Sequence, residues 1–428
     1  MQRVIVIGAG AAGTMAAIAA AEQGAEVLLI EKMKRLGRKL SITGKGRCNI
    51  TNAAPEDEII KHIPGNGRFL YSAIHAFNNQ DVIRLFESLG VRTKVERGQR
   101  VFPVSDKASD VVEALEERLE ELGVKVYTEC RVKELITEYA SAMSANDAEG
   151  MMLRMRGVRL YNGKAEEADA VIVATGGASY PGTGSSGDGQ RLAASVGHTV
   201  IPMEPSLVPL ETEETWVKEM SGLSLRNVKV TLLSEGKCTA EAFGEMMFTH
   251  FGVTGPVILS LSRTAAQELR KGSFVELRLN LKPALSEEQL LARVKRDFEQ
   301  YNKKSIKNAM RDLLPAKLIR PVIDAAYMDE DKPVHQISRQ ERNRLVKTLQ
   351  SLILTISATR PMAEAIVTAG GVSVRELHPK TMESKLIYGL YFAGEVVDVD
   401  GFTGGYNLQA AFSMGHAAGI AAAQKTGE

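Results

Sequence analysis

The sequence has few cysteines and no excess of either charge, and each shortage excludes a class of protein. Its three cysteines, Cys48, Cys130 and Cys238, have no C-x-x-C spacing. This excludes a disulfide framework or a paired-thiol redox centre and favours a reducing cytoplasm. Lys and Arg number 53 against 52 Asp and Glu, so the whole chain attracts neither nucleic acid nor an anionic membrane. The composition therefore predicts a cytoplasmic protein without a nucleic-acid or membrane partner, unless a local patch supplies one.

Long apolar segments are also scarce. Residues 4–21 carry no charge, but they are mostly Ala and Gly, and their first half has the pattern of a strand and a turn. We therefore expect neither a cleaved signal peptide nor a membrane span. Hydrophobic residues make up 44% of the 428 residues and charged residues 25%, which is typical of soluble globular proteins. The length predicts two or three domains.

The beginning of the chain carries a phosphate-binding pattern. An apolar run at residues 3–7 leads into Gly8-Ala9-Gly10-Ala11-Ala12-Gly13, and after an alanine-rich stretch a second apolar run ends at Glu31. This is G-x-G-x-x-G inside a predicted βαβ unit. Gly8 permits the tight turn, Gly10 lets the backbone approach a pyrophosphate, and Gly13 lets the helix pack on the strand. Since the helix N-terminus offers N–H groups to phosphates and Glu31 can bind ribose hydroxyls, the segment predicts a dinucleotide site.

A basic run follows at once. Residues 32–47 hold seven basic residues and no acidic one. Such a run is usually a solvated loop or, more rarely, a nucleic-acid patch. Here it follows the strand that ends at the ribose, and Gly37, Gly44 and Gly46 suit a close-fitting backbone. We therefore favour the interpretation that Lys39 and Arg47 neutralise a diphosphate or a substrate anion.

Two further glycine turns follow apolar strands. After helical patterns at 81–89 and 109–122 and a turn-rich meander with a hairpin tip at 141–150, the run 170–173 leads into Ala174-Thr175-Gly176-Gly177. Near the C-terminus, the run 389–393 leads into Gly394-Glu395, and Gly404-Gly405-Tyr406-Asn407 opens an alanine-rich helix. Both glycine turns follow the carboxyl end of a predicted strand, and parallel sheets bind ligands at the edge formed by the carboxyl ends of their strands. The second G-x-G-x-x-G, at 182–187, lacks the flanking strands and is interpreted as a flexible loop before a helix.

The number and order of these turns favour FAD over NAD. An NAD dehydrogenase has no need of the third turn, whereas a flavoprotein uses it near the ribitol and directs the next helix N-terminus at the flavin pyrimidine ring. That dipole stabilises negative charge on the reduced ring.

Between the second and third turns the pattern changes. Pro202, Pro205 and Pro209 indicate a linker, after which strands are predicted at 228–233, 238–243 and 274–281 and helices at 287–301, 306–314, 317–327 and 339–352. The predicted domains are residues 1–197 and 356–428 for the two parts of the FAD-binding domain, 198–282 for a β-rich insert, and 283–355 for a helical subdomain.

Three segments give the chain a family resemblance. Residues 37–52 (GRKLSITGKGRCNITN), 244–256 (GEMMFTHFGVTGP) and 402–409 (FTGGYNLQ) resemble segments of the BaiN-like, or aminoacetone-oxidase-like, bacterial flavoproteins, also labelled NAD(FAD)-utilising dehydrogenases. The resemblance spans essentially the whole chain. It implies an α/β fold: a Rossmann-like, glutathione-reductase-type domain with a three-layer, mostly parallel sheet and an antiparallel meander, split by a β-barrel-like insert and a helical subdomain. FAD would be bound non-covalently.

The resemblance also implies which residues contact the cofactor. Val132 would hold the adenine through its backbone, and no metal is implied. The cofactor-binding residues would be Gly8, Gly10, Ala11, Ala12, Gly13, Glu31, Lys32, Arg38, Lys39, Gly46, Arg47, Val132, Ala174, Thr175, Gly176, Gly394, Glu395, Gly405, Asn407 and Leu408.

The expected activity is that of an FAD-dependent oxidoreductase. Hydride would pass between flavin N5 and a small organic substrate, with NAD(P)H as a transient donor. Family members reduce conjugated steroid enones or oxidise small amines, so an amine oxidase using O₂ remains an alternative. A non-catalytic, RNA-associated or redox-sensing FAD protein is another. No residue is predicted as the catalytic acid or base, and nothing predicts the oligomeric state. Candidates for the flavin face are Arg47, Asn49, Tyr180, His250 and Tyr406, with His250 interpreted more readily as a core histidine.

Overall fold

The computed structural model describes residues 1–141 and 151–424. The chain forms two compact units, one of Met1–Glu204 with Ile366–Glu428 and one of Pro205–Ala365. These boundaries differ by several residues from the predicted ones at 197/198 and 355/356, and the four-part division stays a prediction. The predicted hairpin tip, apart from Ser141, lies outside the described residues.

The elements are numbered here in chain order. The strands are β1 (Arg3–Ile7), β2 (Glu26–Ile30), β3 (Thr51–Asn52), β4 (Thr93–Glu96), β5 (Arg100–Pro103), β6 (Lys125–Tyr127), β7 (Val132–Ser141), β8 (Met151–Leu160), β9 (Ala165–Glu167), β10 (Ala170–Val173), β11 (Val200–Ser206), β12 (Leu210–Thr212), β13 (Ser224–Ser234), β14 (Lys237–Phe248), β15 (Gly252–Thr254), β16 (Val275–Asn280), β17 (Leu352–Thr359), β18 (Val367–Val372), β19 (Ile387–Tyr388) and β20 (Leu390–Phe392). The helices are α1 (Ala11–Glu22), α2 (Arg38–Ile42), α3 (Glu56–Lys61), α4 (Tyr71–Ala76), α5 (Asn79–Ser88), α6 (Ala108–Glu121), α7 (Asp188–Ser195), α8 (Pro256–Arg270), α9 (Glu287–Gln300), α10 (Ile306–Ala309), α11 (Ala316–Ala325), α12 (Arg339–Gln350) and α13 (Tyr406–Ala423).

The first unit is built on a parallel sheet with the strand order β20-β10-β1-β2-β6 in the described ranges. In β1, Val4–Ile7 face Ala170–Val173 of β10 on one side, and the whole strand faces β2 on the other. The apolar residues of β1 and β10 are buried, which is why these strands read as continuous hydrophobic runs. Because neighbouring strands run in parallel, the carboxyl ends of β1, β10 and β20 share one edge. The predicted Rossmann-like sheet is confirmed.

Two smaller sheets and a two-stranded ribbon accompany the central sheet. The predicted meander is present: β7 and β8 pair in antiparallel fashion, β9 pairs with β8, and β19 joins β8 in parallel. Strands β3, β5 and β4 form a second antiparallel sheet. The proline-rich segment that was predicted as a linker instead forms β11, which pairs with β18 in a two-stranded ribbon. A ribbon tolerates Pro202 and Pro205 because one edge of each strand needs no N–H donor.

Helices α1 and α13 pack closely through small residues. A Cβ on Gly415 would lie 2.3 Å from the carbonyl oxygen of Ala12, and one on Gly419 would lie 2.3 Å from that of Ala16. Glycine is therefore needed at both positions of α13. This packing joins the first helix of the chain to the last one, so the N-terminal motif and the C-terminal segment belong to one structure.

The second unit contains a closed barrel with the strand order β12-β15-β14-β13-β16-β17 in the part of the chain that is described. The predicted barrel-like insert is thereby confirmed. The helices α9, α11 and α12 contribute Leu290, Leu318 and Leu345 to the same buried core as the barrel residues Val230 and Leu277. Ser286 and Ser338 are the N-cap residues of α9 and α12. Each forms a capping box with the residue three positions further on, which fixes the N-terminus of its helix.

Candidate functional site

The first glycine turn leaves an open space above Gly10. Gly8 has φ +100°, and a Cβ there would lie 2.6 Å from the carbonyl oxygen of Ala174. A Cβ on Gly13 would lie 1.8 Å from the carbonyl oxygen of Gly8. A Cβ on Gly10, in contrast, would have no atom within 4 Å of it. Two of the glycines thus serve close packing of the protein on itself, and Gly10 leaves room for a ligand at the N-terminus of α1.

Glu31 is held directly beside this turn. One carboxylate oxygen accepts a hydrogen bond from the main-chain N–H of Ala9 at 2.8 Å, and the other accepts one from Met33 at 2.8 Å. The main-chain N–H of Cys130 donates to the Glu31 carbonyl at 3.0 Å, which brings the buried Val132, the first residue of β7, near the same edge. Each carboxylate oxygen keeps a lone pair for a ribose hydroxyl.

The second and third glycine turns meet the first one. Gly394 has φ +80°, and a Cβ on it would lie 2.7 Å from the Cβ of Ala12 in α1. A Cβ on Gly177 would lie 2.3 Å from the hydroxyl oxygen of Thr368 and 3.0 Å from a carboxylate oxygen of Glu395. The segments 8–13, 174–177 and 394–395 therefore converge at the carboxyl ends of β1, β10 and β20.

Glu395 is the centre of a half-buried ionic network at this edge. Its carboxylate accepts hydrogen bonds from Lys39 Nζ at 2.7 Å, from Ser179 Oγ at 3.2 Å and from the main-chain N–H of Thr368 at 2.7 Å. Burial by itself would raise the pKa of the Glu395 carboxyl, but the Lys39 ammonium and these donors outweigh it and hold the pKa below its ordinary value. The network therefore carries a carboxylate at neutral pH.

The N-terminus of α13 presents free main-chain donors. Within residues 1–141 and 151–424, the N–H groups of Tyr406, Asn407 and Leu408 donate to no backbone carbonyl, as expected for the first turn of a helix. The Asn407 side chain accepts from Gly401 N at 2.8 Å and donates back to the Gly401 carbonyl at 2.8 Å, so it braces the loop. Gly405 has φ +98°, and a Cβ there would lie 2.3 Å from the Thr51 carbonyl oxygen.

Three of the seven basic residues in the run 32–47 are paired with acidic residues from distant segments. Lys32 Nζ donates to Asp188 at 2.9 Å, and Lys39 donates to Glu395. Arg47 pairs with Glu96 and Asp106, and its guanidinium lies over the Phe102 ring at 4.2 Å from the centroid.

Two of the run's predicted cofactor contacts remain open. Arg38 is exposed and has no hydrogen-bond or ion-pair partner among the described residues, and Gly46 has open space where a Cβ would lie. Arg47 is thus engaged in a protein network, whereas Arg38 and Gly46 remain available to a ligand.

The other flavin-face candidates have different surroundings. The Asn49 Oδ1 atom is buried without a hydrogen-bond partner in the described part of the chain. Tyr180 is exposed and has φ +51°. Tyr406 is buried and stacks on His62 with ring centroids 4.6 Å apart. His250 lies in the second unit, where it is exposed and contacts Phe251 edge-on at 5.0 Å, so it is not the core histidine that the sequence favoured.

Three positioning residues were not predicted from the sequence. Thr368 Oγ1 accepts from the main-chain N–H of Ala178 at 2.8 Å and thereby fixes the second turn. Ser179 bridges Lys39 and Glu395. Asp188 accepts from Lys32, Arg131 and Arg191, which hold its pKa well below the ordinary value although burial alone would raise it. Asp188 follows the second G-x-G-x-x-G directly, and that was the one available signal.

A buried Ser–His–Glu chain lies elsewhere in the same unit. His198 bonds Glu376 through Nδ1 at 2.9 Å and Ser384 through Nε2 at 2.8 Å. The arrangement resembles a hydrolase triad. However, Ser384 Oγ also accepts from the N–H groups of Leu386 and Ile387, and Ser384 is 5% exposed. With both lone pairs occupied and no access for a substrate, this chain is structural.

The residues that converge at the sheet edge fit a dinucleotide. The helices α1 and α13 direct free N–H groups from their N-termini, Gly10 and Gly46 leave open space, and two polar atoms, Thr175 Oγ1 and Asn49 Oδ1, are buried without a partner among the described residues. Such atoms also occur away from this edge, as at Thr212 and Arg342, so the two are compatible with a polar ligand, and the open helix N-termini are the stronger indication. The described ranges contain no helix that is long and apolar enough to cross a membrane and no group of three or more His, Cys, Asp or Glu able to hold a metal ion.

Comparison with known proteins identifies relatives along the whole chain. Residues 2–421 match the family described as HI0933-like protein Rossmann domain. The chain is 33% identical over 427 residues to the 3-dehydro-bile acid delta(4,6)-reductase of Clostridium scindens, covering 99% of this chain and 100% of that protein. It is 32% identical over 418 residues to the ribosomal RNA dihydrouridine synthase of Haemophilus influenzae, covering 97% of each.

A solved structure shares the fold. The 3-ketosteroid delta1-dehydrogenase from Sterolibacterium denitrificans, in complex with 1,4-androstadiene-3,17-dione, superimposes with a TM-score of 0.52 and 13% identity, covering 99% of this chain and 100% of that one. At this identity the likeness concerns the fold alone.

Proposed function

The chain belongs to the HI0933-like family of FAD-dependent oxidoreductases, and from that premise we propose that it reduces a carbon–carbon double bond conjugated to a carbonyl group, with NAD(P)H as the electron donor. The observation that carries the cofactor part of the proposal is the convergence of three glycine turns and two helix N-termini at one edge of the parallel sheet. FAD carries negative charge on its diphosphate and, when reduced, on its flavin ring. Main-chain N–H groups at the two helix N-termini can stabilise both charges.

Each part of the site has a role in holding FAD. Glu31 binds the adenosine ribose, and the N–H groups of α1 above Gly10 bind the pyrophosphate. Glu395, fixed by Lys39, faces the ribitol side. The N–H groups of Asn407 and Leu408 stabilise negative charge on the pyrimidine ring. FAD bound in this way supplies hydride transfer at N5, and the protein supplies orientation, exclusion of water and protons.

The proposed substrate class is supported by the chemistry that two relatives' names share. A 3-dehydro-bile acid delta(4,6)-reductase acts on double bonds conjugated to a 3-oxo group, and a dihydrouridine synthase produces a base whose C5–C6 bond, next to the C4 carbonyl, is saturated. Both reactions add hydride to the carbon β to a carbonyl and a proton to the α carbon. One flavin site can therefore perform either reaction, with the substrate selected by the surrounding surface.

The reaction also requires a proton donor, and we propose Tyr406. Tyr406 is the first residue of α13, next to the N–H groups proposed to face the flavin ring. Burial, with the nearby Glu58 carboxylate, raises the pKa of its phenol, which keeps the proton in place at neutral pH but makes the phenol a weaker acid. Tyr406→Phe removes the acidic proton and leaves the ring that stacks on His62. The variant is expected to slow substrate reduction by at least about 10²-fold, with the rate of flavin reduction by NAD(P)H unchanged.

Anaerobic stopped-flow absorbance tests the proposal in two half-reactions. The purified flavoprotein is mixed with NADH or NADPH, and then the reduced protein is mixed with a 4-en-3-one steroid, a uridine-containing RNA oligonucleotide, or the saturated 3-oxosteroid as a matched control. We expect one nicotinamide to bleach the flavin and a conjugated substrate to reoxidise it much faster than the saturated ketone.

Two results would contradict this reaction. The proposed reaction is refuted if neither nicotinamide reduces the flavin, or if conjugated and saturated ketones reoxidise it equally fast. Bleaching by a small amine followed by rapid reoxidation in O₂ would favour the amine-oxidase alternative. If the protein stays colourless after incubation with FAD, it does not bind FAD, and the cofactor assignment is wrong.

A further inference from the structure

The second unit contains a pocket of about 950 Å³. Its walls come from β13 and β14 of the barrel, from residues 281–285 ahead of α9, and from residues 312–318 around the start of α11. The volume is at the upper end of the range for ligand sites. All of the lining residues belong to one compact unit, so the pocket is a property of the insert itself.

The pocket has positive charge that the protein does not neutralise. Its two acidic residues are engaged: Glu241 pairs with Lys229 at 2.9 Å, and Asp312 accepts from the Tyr301 hydroxyl. Arg226 and Lys282, in contrast, have no hydrogen-bond or ion-pair partner for their side chains among the described residues.

Arg293 adds to this charge. It lines the pocket although it is paired with Asp297. Burial and the repulsion from Arg293 lower the pKa of the half-buried Lys282. An anion near Lys282 would relieve this repulsion.

The pocket also has an exposed aromatic wall. Phe243 on β14 lines it and is 63% exposed. A phenylalanine face in water, bordered by unpaired cations, is the combination that single-stranded nucleic acids require: bases stack on the ring and phosphates contact the cations.

Basic residues continue beyond the pocket. Residues 289–320 hold nine Lys and Arg against three Asp and Glu. Arg296 lies one helical turn from Arg293 in α9, and Arg311 precedes Asp312; both are exposed and without a partner among the described residues. The second unit as a whole has 24 Lys and Arg against 20 Asp and Glu, whereas the first has 29 against 32. The second unit therefore has exposed basic residues beyond those that line the pocket.

We propose that this pocket binds a single-stranded RNA segment, with a base stacked on Phe243 and the adjacent phosphates on Arg226 and Lys282. The inference does not rest on the proposed reaction, because binding is measured without turnover. It assigns the insert a separate role: it holds a polymeric partner, while the first unit carries the cofactor.

Fluorescence anisotropy of a fluorescein-labelled 12-nucleotide RNA of mixed sequence tests the proposal with the full-length flavoprotein. We expect Arg226→Gln/Lys282→Gln to weaken binding at least about tenfold at low salt and to reduce the slope of log K against log salt by about 1.4, since about 0.7 is lost for each phosphate contact on a single strand. Phe243→Leu is expected to weaken binding at least about fivefold without changing the slope, because stacking is not ionic.

Lys237→Gln/Arg278→Gln is the matched control. It removes one exposed Lys and one exposed Arg of the same barrel that do not line the pocket, and binding should stay within about twofold of the unmodified protein. Equal losses in both double variants, or no RNA binding at low salt, would overturn the proposal. Competition of RNA by NADPH at the pocket would overturn it too, because the site would then take a free dinucleotide. All of these readouts are independent of flavin reduction.

Discussion

Replacing Lys39 with methionine tests the ionic network at the sheet edge. Lys39 Nζ lies 2.7 Å from the Glu395 carboxylate, and the two side chains are 25% and 20% exposed. Methionine keeps the apolar stem and removes the charge. Glu395 then retains the donors Ser179 and Thr368 but has no counter-ion.

The expected cost follows from this geometry. Removing one partner of a fully buried ion pair costs about 3–5 kcal/mol. Because both groups keep some contact with water and two neutral donors remain, we expect about 2 kcal/mol at pH 8, which lowers the thermal midpoint of a protein of this size by about 2–4 °C.

The pH dependence gives the sharper signature. With Lys39 present, the pKa of Glu395 lies below its ordinary value, so its stabilising contribution is complete above the unfolded pKa of about 4.5 and is lost only as the pH falls through the lower folded value. In Lys39→Met, burial dominates and raises the folded pKa. The free energy of unfolding then falls as the pH rises from the unfolded pKa to the raised folded pKa, because the Glu395 carboxyl must ionise without a partner.

Urea unfolding followed by circular dichroism between pH 5 and 8 measures both effects. Lys61→Met, which breaks an exposed pair with Glu58, serves as the control and should change stability little at any pH, because solvent screens the pair. Adding Glu395→Gln to Lys39→Met should restore about 1 kcal/mol by removing the buried charge. A loss no larger than in the control, or no recovery in the double variant, would refute the reasoning.

Three further perturbations test other parts of the first unit. Burial raises the pKa of the Cys48 thiol to about 12, so at pH 8 Ellman's reagent should modify the exposed Cys238 in the native protein and Cys48 only after unfolding, as peptide mapping would show. Burial also lowers the pKa of His198 despite Glu376; its contribution to stability is complete above the unfolded pKa of about 6.5 and is lost as the pH falls toward the folded value, so His198→Gln should flatten that part of a urea-unfolding series. Gly394→Ala should lower the FAD retained after gel filtration at least severalfold, because its Cβ would lie 2.7 Å from that of Ala12; Gly24→Ala, at φ +83° with no atom within 4 Å, carries the same backbone strain and should retain FAD.

The central sheet could be predicted because its signals are local in sequence. Each of β1, β10 and β20 is a short apolar run that ends in glycine, and parallel strands bring their carboxyl ends to a common edge. The glycines were also informative, since Gly8 and Gly394 occupy positive φ angles and lie against neighbouring backbone or side chains. The alternating strands and turns predicted a β-rich insert for the same reason, whereas its closure into a barrel was implied by the family resemblance.

The polar partners of the site could not be predicted in this way. Lys39 and Glu395 are separated by 356 positions, and Ala178 and Thr368 by 190. No periodicity connects such pairs, because they meet only after β18 and β20 have returned to the first unit. The same limitation explains Arg47: its basic run suggested an anion contact, and the acids that bind it, Glu96 and Asp106, lie 49 and 59 positions further along the chain, in and just after a small sheet.

The charge of the whole chain was the weakest of the sequence arguments, and the structure explains why. A net charge of +1 argues against a nucleic-acid partner. A total of this kind describes the partner only if the charge is spread evenly, whereas here the second unit has a surplus of four basic residues and the first unit a surplus of three acidic ones. At physiological ionic strength, charges interact over about 8 Å, so a ligand in the insert pocket responds mainly to the charges that line the pocket, Arg226 and Lys282 among them. The field that decides binding is therefore local, and a nearly neutral chain can carry a basic site.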